Sequence, residues 1–160
     1  MQSSKLLAKR FKEVILDGKW VAVTNFKEQI DDLNLEQAST KIASLNTIAA
    51  LTFHVNYYIA GVLQVLKGGS LDIRDKFSFD LPTLKDDEDW NKLKQEFFQN
   101  AEQFANHLEL LTEEQLKGHF VMEKYGSFQR NMDGMIEHCY YHLGQVVLIK
   151  KCILEKDTQI

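Results

Sequence analysis

The stretch KIASLNTIAALTFHVNYYIAGVLQVLK, residues 41–67, decides the fold. Its apolar residues, among them Ile42, Leu45, Ile48, Leu51, Val55, Ile59, Val62 and Leu66, spread almost all round a helical wheel. A helix that is apolar on every side is buried on every side, which predicts the middle of a helical bundle. Gly68-Gly69 closes the segment as a C-terminal glycine signal. On the wheel His54 shares a sector with Ala43, Thr47, Ala50, Tyr57, Tyr58 and Gly61. Most of these are small or hydroxyl-bearing, so they are expected to leave room beside the imidazole.

Three more helices follow by the same reasoning. The first is expected from Ser3 or Ser4 to about Ile30, with Leu6, Leu7, Phe11, Val14 and Ile15 as a single stripe, a bend at Gly18, and Trp20 anchoring the next turn. Asn34-Leu35-Glu36-Gln37 reads as a capping box that restarts helix in a new direction. The third long helix should run from near Asp87 to Leu110, opened by the acidic run Asp86–Asp89 that complements the helix dipole. Thr112-Glu113-Glu114-Gln115 is a second capping box, and His119 to Ser127 reads as an extended connection. The fourth helix is expected from about Asn131 to Glu155. Between the second and third lies a surface loop, Ser70 to Asp86, carrying Phe77, Phe79 and Pro82; a loop that long often serves as a lid or a binding edge. The expected architecture is therefore all-α: a four-helix bundle with a long loop between helices 2 and 3, in one domain spanning residues 1–160.

Composition agrees. The chain has 160 residues, 44% of them hydrophobic, with one proline and eight glycines, too little punctuation for a strand-and-turn design. A net charge of -4 provides no basic surface, so no nucleic-acid partner is expected. Asn, Gln, His and Thr interrupt the longest apolar stretches, and Met1-Gln2-Ser3-Ser4-Lys5 lacks the apolar core of a signal peptide. A cytoplasmic protein without membrane contact is the expectation. Cys139 and Cys152 fall on one helix about 20 Å apart, too far for a disulfide, and read as reduced buried residues.

The chemistry-bearing motif is Ile136-Glu137-His138-Cys139-Tyr140-Tyr141-His142-Leu143-Gly144-Gln145. Histidines at four-residue spacing project from one helix face with Cβ atoms roughly 6 Å apart, close enough for one metal ion to take both. His54 would be a third ligand from another helix, leaving coordination positions open, as sites that do chemistry tend to. The bland reading of the same pair is two partly buried, hydrogen-bonded imidazoles. A glycine inside a helix costs about 1 kcal/mol unless close packing repays it, which is the expectation at Gly144. Gln145, one turn beyond His142, is placed to hydrogen-bond it. Tyr57, Tyr58 and Tyr141 are candidate pocket walls. No general base is evident: Glu137 points elsewhere and Asp133 is a turn away, so the catalytic residues are unknown. His107 and His119 read as solvated surface residues. His-Glu-x-x-His, Glu-x-x-His, Cys-x-x-Cys and Gly-rich phosphate loops are all absent, which excludes the peptidase, di-iron, redox and nucleotide readings those motifs carry.

Taken together, Leu51–Tyr58 around His54, the run His138–Val146 with its His-x-Gly-Gln ending, and Leu16-Asp17-Gly18-Lys19-Trp20 resemble the DinB-like (damage-inducible) superfamily. Its members are four-helix bundles, relatives of YfiT and of bacterial thiol S-transferases. The likeness extends over nearly the whole chain in the order and lengths of the elements. It implies a divalent metal, nickel or zinc, on His54, His138 and His142, and a homodimer. It also implies a reaction in which a low-molecular-weight thiol is activated toward a small electrophilic substrate. A metal-dependent hydrolase and a non-catalytic metal- or ligand-binding stress-response bundle are the alternatives.

Overall fold

The computed structural model describes residues 3–157, with side chains to residue 155. These residues are all-helical, 68% of them in helix and none in a strand. Seven α-helices follow one another: α1 (Ser3–Ile15), α2 (Phe26–Ile30), α3 (Leu35–Ser39), α4 (Ile48–Leu66), α5 (Asp87–Glu109), α6 (Glu113–Lys117) and α7 (Phe128–Asp157). The four long ones close a ring of contacts, with α1 against α5 and α7, and α4 against the same two.

The expected first helix is two. After Ile15 the Leu16 and Asp17 amides both turn back to the Lys12 carbonyl, and the chain doubles under the end of α1. A Cβ on Gly18 would sit 2.3 Å from the Glu13 Cα, so only glycine passes there. The bend is thus a break, and Trp20, 85% exposed, anchors nothing in the core. α2 starts afresh at Asn25, whose side chain accepts from the Glu28 amide.

The expected second helix starts late. Thr47 caps α4 by accepting from the Ala50 amide, and Ala43, with φ of 48°, lies in an irregular approach. The apolar pattern of Ile42, Ala43 and Leu45 continues past the true start, but a strong cap decides the boundary. At the other end Gly68 takes φ of 87° and the Gly69 amide returns to the Gln64 carbonyl. By length and composition α4 could cross a bilayer, despite its polar interruptions; 61% of its most apolar window is buried within the structure, as in a core helix.

Both capping boxes, Asn34/Gln37 and Thr112/Gln115, are formed. α5 opens on Asp86 with Asp87, Glu88 and Asp89 in its first turn. α7 starts three residues earlier than its apolar pattern suggests, because the Ser127 hydroxyl caps the Arg130 amide. The 118–128 connection is not simply extended. Phe120 and Phe128 amides pair with the Gly126 and Gly118 carbonyls around a single 3-10 turn at Glu123–Tyr125.

The core is aromatic where the ring closes. Phe11 meets Phe104 at 4.4 Å between centroids, and Phe26 meets Phe97 edge-on at 5.5 Å. Trp90, fully buried, donates its indole N–H to the Leu33 carbonyl at 2.7 Å. Beside it the buried Lys94 ammonium donates to the Asp31 carbonyl at 2.9 Å, so a cation in the core is matched by helix-end carbonyls. The long loop, residues 70–86, holds one 3-10 turn (Asp75–Phe77) and lies on α4. Tyr57 holds it there: its hydroxyl accepts from the Arg74 amide at 2.9 Å and donates to the Arg74 carbonyl at 3.1 Å.

Candidate metal centre

His138 and His142 stand one turn apart on α7, and His54 faces them from the middle of α4. His138 Nε2 lies 3.2 Å from His54 Nε2 and 3.0 Å from His142 Nε2. The three ligand atoms all fall within 4.8 Å of one another. Two nitrogens bound to one ion at 2.0–2.1 Å are separated by about 2.9–3.4 Å, between the octahedral and tetrahedral limits, so both contacts match edges of a coordination polyhedron.

A neutral imidazole nitrogen has either one proton or one lone pair, directed along one line in the ring plane. His138 Nε2 can therefore at best share a single proton between its two neighbours. A cation among the three nitrogens would instead take a lone pair from each. Three histidines so grouped could hold a metal ion, and among the described residues no cysteine, carboxylate or further histidine joins the group.

Burial keeps the rings neutral. His54 and His142 are 7% and 6% exposed. Desolvation, and then the neighbouring His142, lower the pKa of His54 to about 4; the Ser78 backbone and Asp75 act in the opposite sense. His138 is likewise lowered to about 4 by burial and by the other two rings. His142 is lowered by burial and partly restored by Gln145. Neutral imidazole is the metal-binding form.

Gln145 does what its position suggests. Its Oε1 accepts from His142 Nδ1 at 2.8 Å, which puts the proton on Nδ1 and the lone pair on Nε2, aimed at the cluster. His54 Nδ1 is buried without a hydrogen bond of acceptable geometry; the Ser78 backbone is the group beside it.

The surroundings of His54 differ from the wheel-based expectation. Ala43 lies outside the helix, and a Cβ on Gly61 would meet Ile73 of the long loop at 2.3 Å, so the small residue seats that loop and leaves no void. The space beside His54 is filled by aromatics. Phe79 stacks on the ring at 3.9 Å between centroids, and Tyr58 meets it edge-on at 5.1 Å. Tyr58 also meets His138 edge-on at 5.2 Å and donates its hydroxyl to Asp75 Oδ1 at 3.0 Å. Tyr141 lies edge-on to His142 at 4.9 Å but is 65% exposed, on the rim. Tyr57 turns to a different groove, beside Asn56 and Gly61, and reaches the site only through the loop it anchors. Gly144 was expected to permit close packing; a Cβ there would meet nothing within 4 Å.

The other candidates separate cleanly. Asp133 pairs with Arg10 at 2.6 Å, and Glu137 with Arg130 at 3.4 Å, neither of them at the cluster. His107 binds its own helix carbonyl at Gln103, and His119 is exposed. Cys139 is fully buried, and burial pushes its thiol pKa upward, so it stays a neutral core residue.

Sequence reasoning missed Phe79 and Asp75 as neighbours of the site, although it marked their loop as a binding edge. It also missed the cleft that reaches the cluster. About 570 Å³ in volume, the cleft runs between α4, the long loop, the 118–128 connection and the first half of α7, with His138 and Tyr58 among its lining residues. Comparison with protein-family models, with curated proteins and with solved structures finds no match for this chain.

Proposed function

We propose that this protein is a divalent-metal-binding bundle of the DinB/YfiT-like kind that activates a low-molecular-weight thiol for transfer to a small electrophile, with nickel or zinc on His54, His138 and His142. One observation carries the metal: the Nε2 atoms of His54 and His142 stand 3.2 and 3.0 Å from His138 Nε2, the separations that ligands of one ion keep, and the three histidines form one group. Two further features favour an enzyme over a metal-stabilised scaffold. No fourth protein ligand closes the group among the described residues, and a substrate-sized cleft reaches His138.

Neutral ligands leave the ion's full charge to acidify a thiol held at its open position, which makes thiolate, the attacking form, available at neutral pH. The chain's own residues supply the rest. Gln145 fixes the His142 tautomer, Phe79 covers His54 on one side, and Tyr58 with Asp75 lines the approach. The homodimer belongs to the same reading; exposed Tyr141, Gly144 and Leu148 on α7 form a stripe that a second copy would cover.

Elemental analysis of untagged protein tests the metal, beside His138→Ala and His142→Ala. About one nickel or zinc per chain, lost in both variants, is the expected result, followed by metal-dependent consumption of a small thiol with an alkylating electrophile. Protein that carries no metal and takes none up would overturn the assignment. Metal binding without any thiol chemistry would favour the non-catalytic bundle.

A further inference from the structure

The 70–86 loop meets the histidine cluster at an atom that the rest of the site leaves without a partner. Gln145 holds the His142 proton on Nδ1, but no side chain does the same for His54. His54 is 7% exposed, and among the described residues its Nδ1 is the one buried side-chain nitrogen or oxygen without a hydrogen bond. The polar group beside it is the Ser78 backbone, which favours a protonated ring, as a carbonyl does and an amide N–H would not. Ser78 is itself buried and is placed by the turn before it. Its amide and its hydroxyl both donate to the Asp75 carbonyl, at 3.0 and 2.8 Å. Phe79, the next residue, stacks on the His54 ring.

An ion on Nε2 changes what Nδ1 must do. Without one, His54 can carry its proton on Nε2, toward His138 at 3.2 Å, which sets the Nδ1 lone pair against a carbonyl. Two lone pairs so placed repel. With the Nε2 lone pair on an ion the proton sits on Nδ1, and a buried N–H needs an acceptor. The same neighbour then attracts. The loop can respond because little else holds this part of it. Its anchors on α4, Ile73 over Gly61, Arg74 on Tyr57 and Asp75 on Tyr58, all come before the turn. From Lys76 to Asp80 only Ser78 is buried. Leu71, Ile73 and Asp75 of the same loop line the cleft that reaches His138.

Resting on the metal-site reading above, we infer that the Ser78 backbone carbonyl is the positioning group for His54, and that metal binding fastens the 70–86 loop over the cleft through it. Gln145 serves His142 from within α7; Ser78 serves His54 from a segment that also walls the cleft, so metal occupancy and the shape of the cleft are linked.

The test follows amide hydrogen exchange in the full, untagged chain with and without saturating zinc, after zinc uptake has been measured. The Phe77, Ser78 and Asp80 amides, which bond within the turn, should exchange about fivefold more slowly with zinc, the value of one neutral hydrogen bond. The Phe120 and Phe128 amides of the 118–128 connection should not change. Ser78→Ala and Phe79→Leu leave the carbonyl in place and should keep the loop-specific protection. Ser78→Pro should abolish it and weaken zinc binding about tenfold. Proline lacks the amide that donates to Asp75 and disfavours the helical turn at Phe77 before it. Zinc binding without loop-specific protection, or protection that survives Ser78→Pro, overturns the inference and leaves the metal centre standing. Protection lost in Ser78→Ala or Phe79→Leu would assign the link to those side chains and overturn it equally. Protein that takes up no zinc overturns both readings.

Discussion

Replacing Gln145 with leucine tests whether the histidine cluster is tuned for metal or merely crowded. Gln145 Oε1 accepts the Nδ1 proton of His142 at 2.8 Å and makes no contact with the cluster's centre. Leucine is close in size, and position 145 is half-buried on α7, so the helix should fold unchanged. Losing one neutral hydrogen bond of good length removes about 1 kcal/mol, or fivefold in affinity. The loss also releases the His142 tautomer, so part of the population places its proton on Nε2, where the lone pair is needed. Together these bring the expected weakening to about 10–100-fold, as for other partners of metal-bound histidines. Glutamate at the same position keeps an acceptor and adds charge, and should bind metal at least as tightly as glutamine. The assay is competition with a chromogenic chelator at fixed pH, on protein whose thermal unfolding matches the natural chain. Equal affinities for Gln145→Leu and the natural protein would refute the reasoning, because Nδ1 protonation would then be irrelevant to what the ring does.

Two further outcomes are expected. In metal-free protein, His54 and His138 have pKa values near 4, against an ordinary 6.5. The unfolded chain thus binds more protons between these values, and the stability their neutral burial confers is full above pH 6.5 and lost as pH falls toward 4. Denaturant unfolding at pH 7, 5.5 and 4.5 should show that decline, and a His54→Gln/His138→Gln double variant should flatten it; an equally steep decline in the variant would sink the idea. Gly61→Ala places a methyl 2.3 Å from Ile73 Cγ2 and must shift the long loop. It should destabilise the protein by about 1–3 kcal/mol, seen as a melting temperature several degrees lower with metal content retained. An unchanged melting temperature would mean the loop is not seated there.

The grouping of the three histidines was legible because its information is local. Two of the three histidines are bound by helix periodicity alone, and the third lies mid-helix in a segment whose burial is written in its apolar residues. The same holds for caps, which need only three or four adjacent residues: Asn34, Thr112 and Asp86 each start a helix as expected. What sequence did not disclose depends on where distant segments land. The wheel around His54 counted neighbours from its own helix, while the actual neighbours Phe79 and Asp75 come from a loop whose course is set by Tyr57 and Gly61. Helix ends misjudged by periodicity, at Gly18 and Thr47, fail for a related reason. An apolar repeat says which side would be buried if the helix continued, and is silent about whether a close backbone approach or a hydroxyl cap ends it.

α7 shows why the site lies where it does. Met132, Ile136, Cys139, Leu143 and Val146 recur at three- and four-residue steps and are fully or nearly buried, giving the helix its core face. Asn131, Gly134, Met135 and His138 form the adjoining face toward the cleft, and His142 with Gln145 extends it. Each face constrains the other, because any rotation of α7 that moved His138 relative to His54 would drag Ile136 and Cys139 out of the core. The positions of the three nitrogens are therefore set by the packing of α4 on α7, and need no metal to bring them together. With two histidines from one helix and one from its neighbour, the cluster occupies the seam between the two, and the cleft opens along the same seam. Phe79 of the long loop stacks on His54, Asp75 of the same loop takes the Tyr58 hydroxyl, and Phe120 of the 118–128 connection lines the cleft, so among the described residues the segments facing the seam add no fourth side chain to the histidine group.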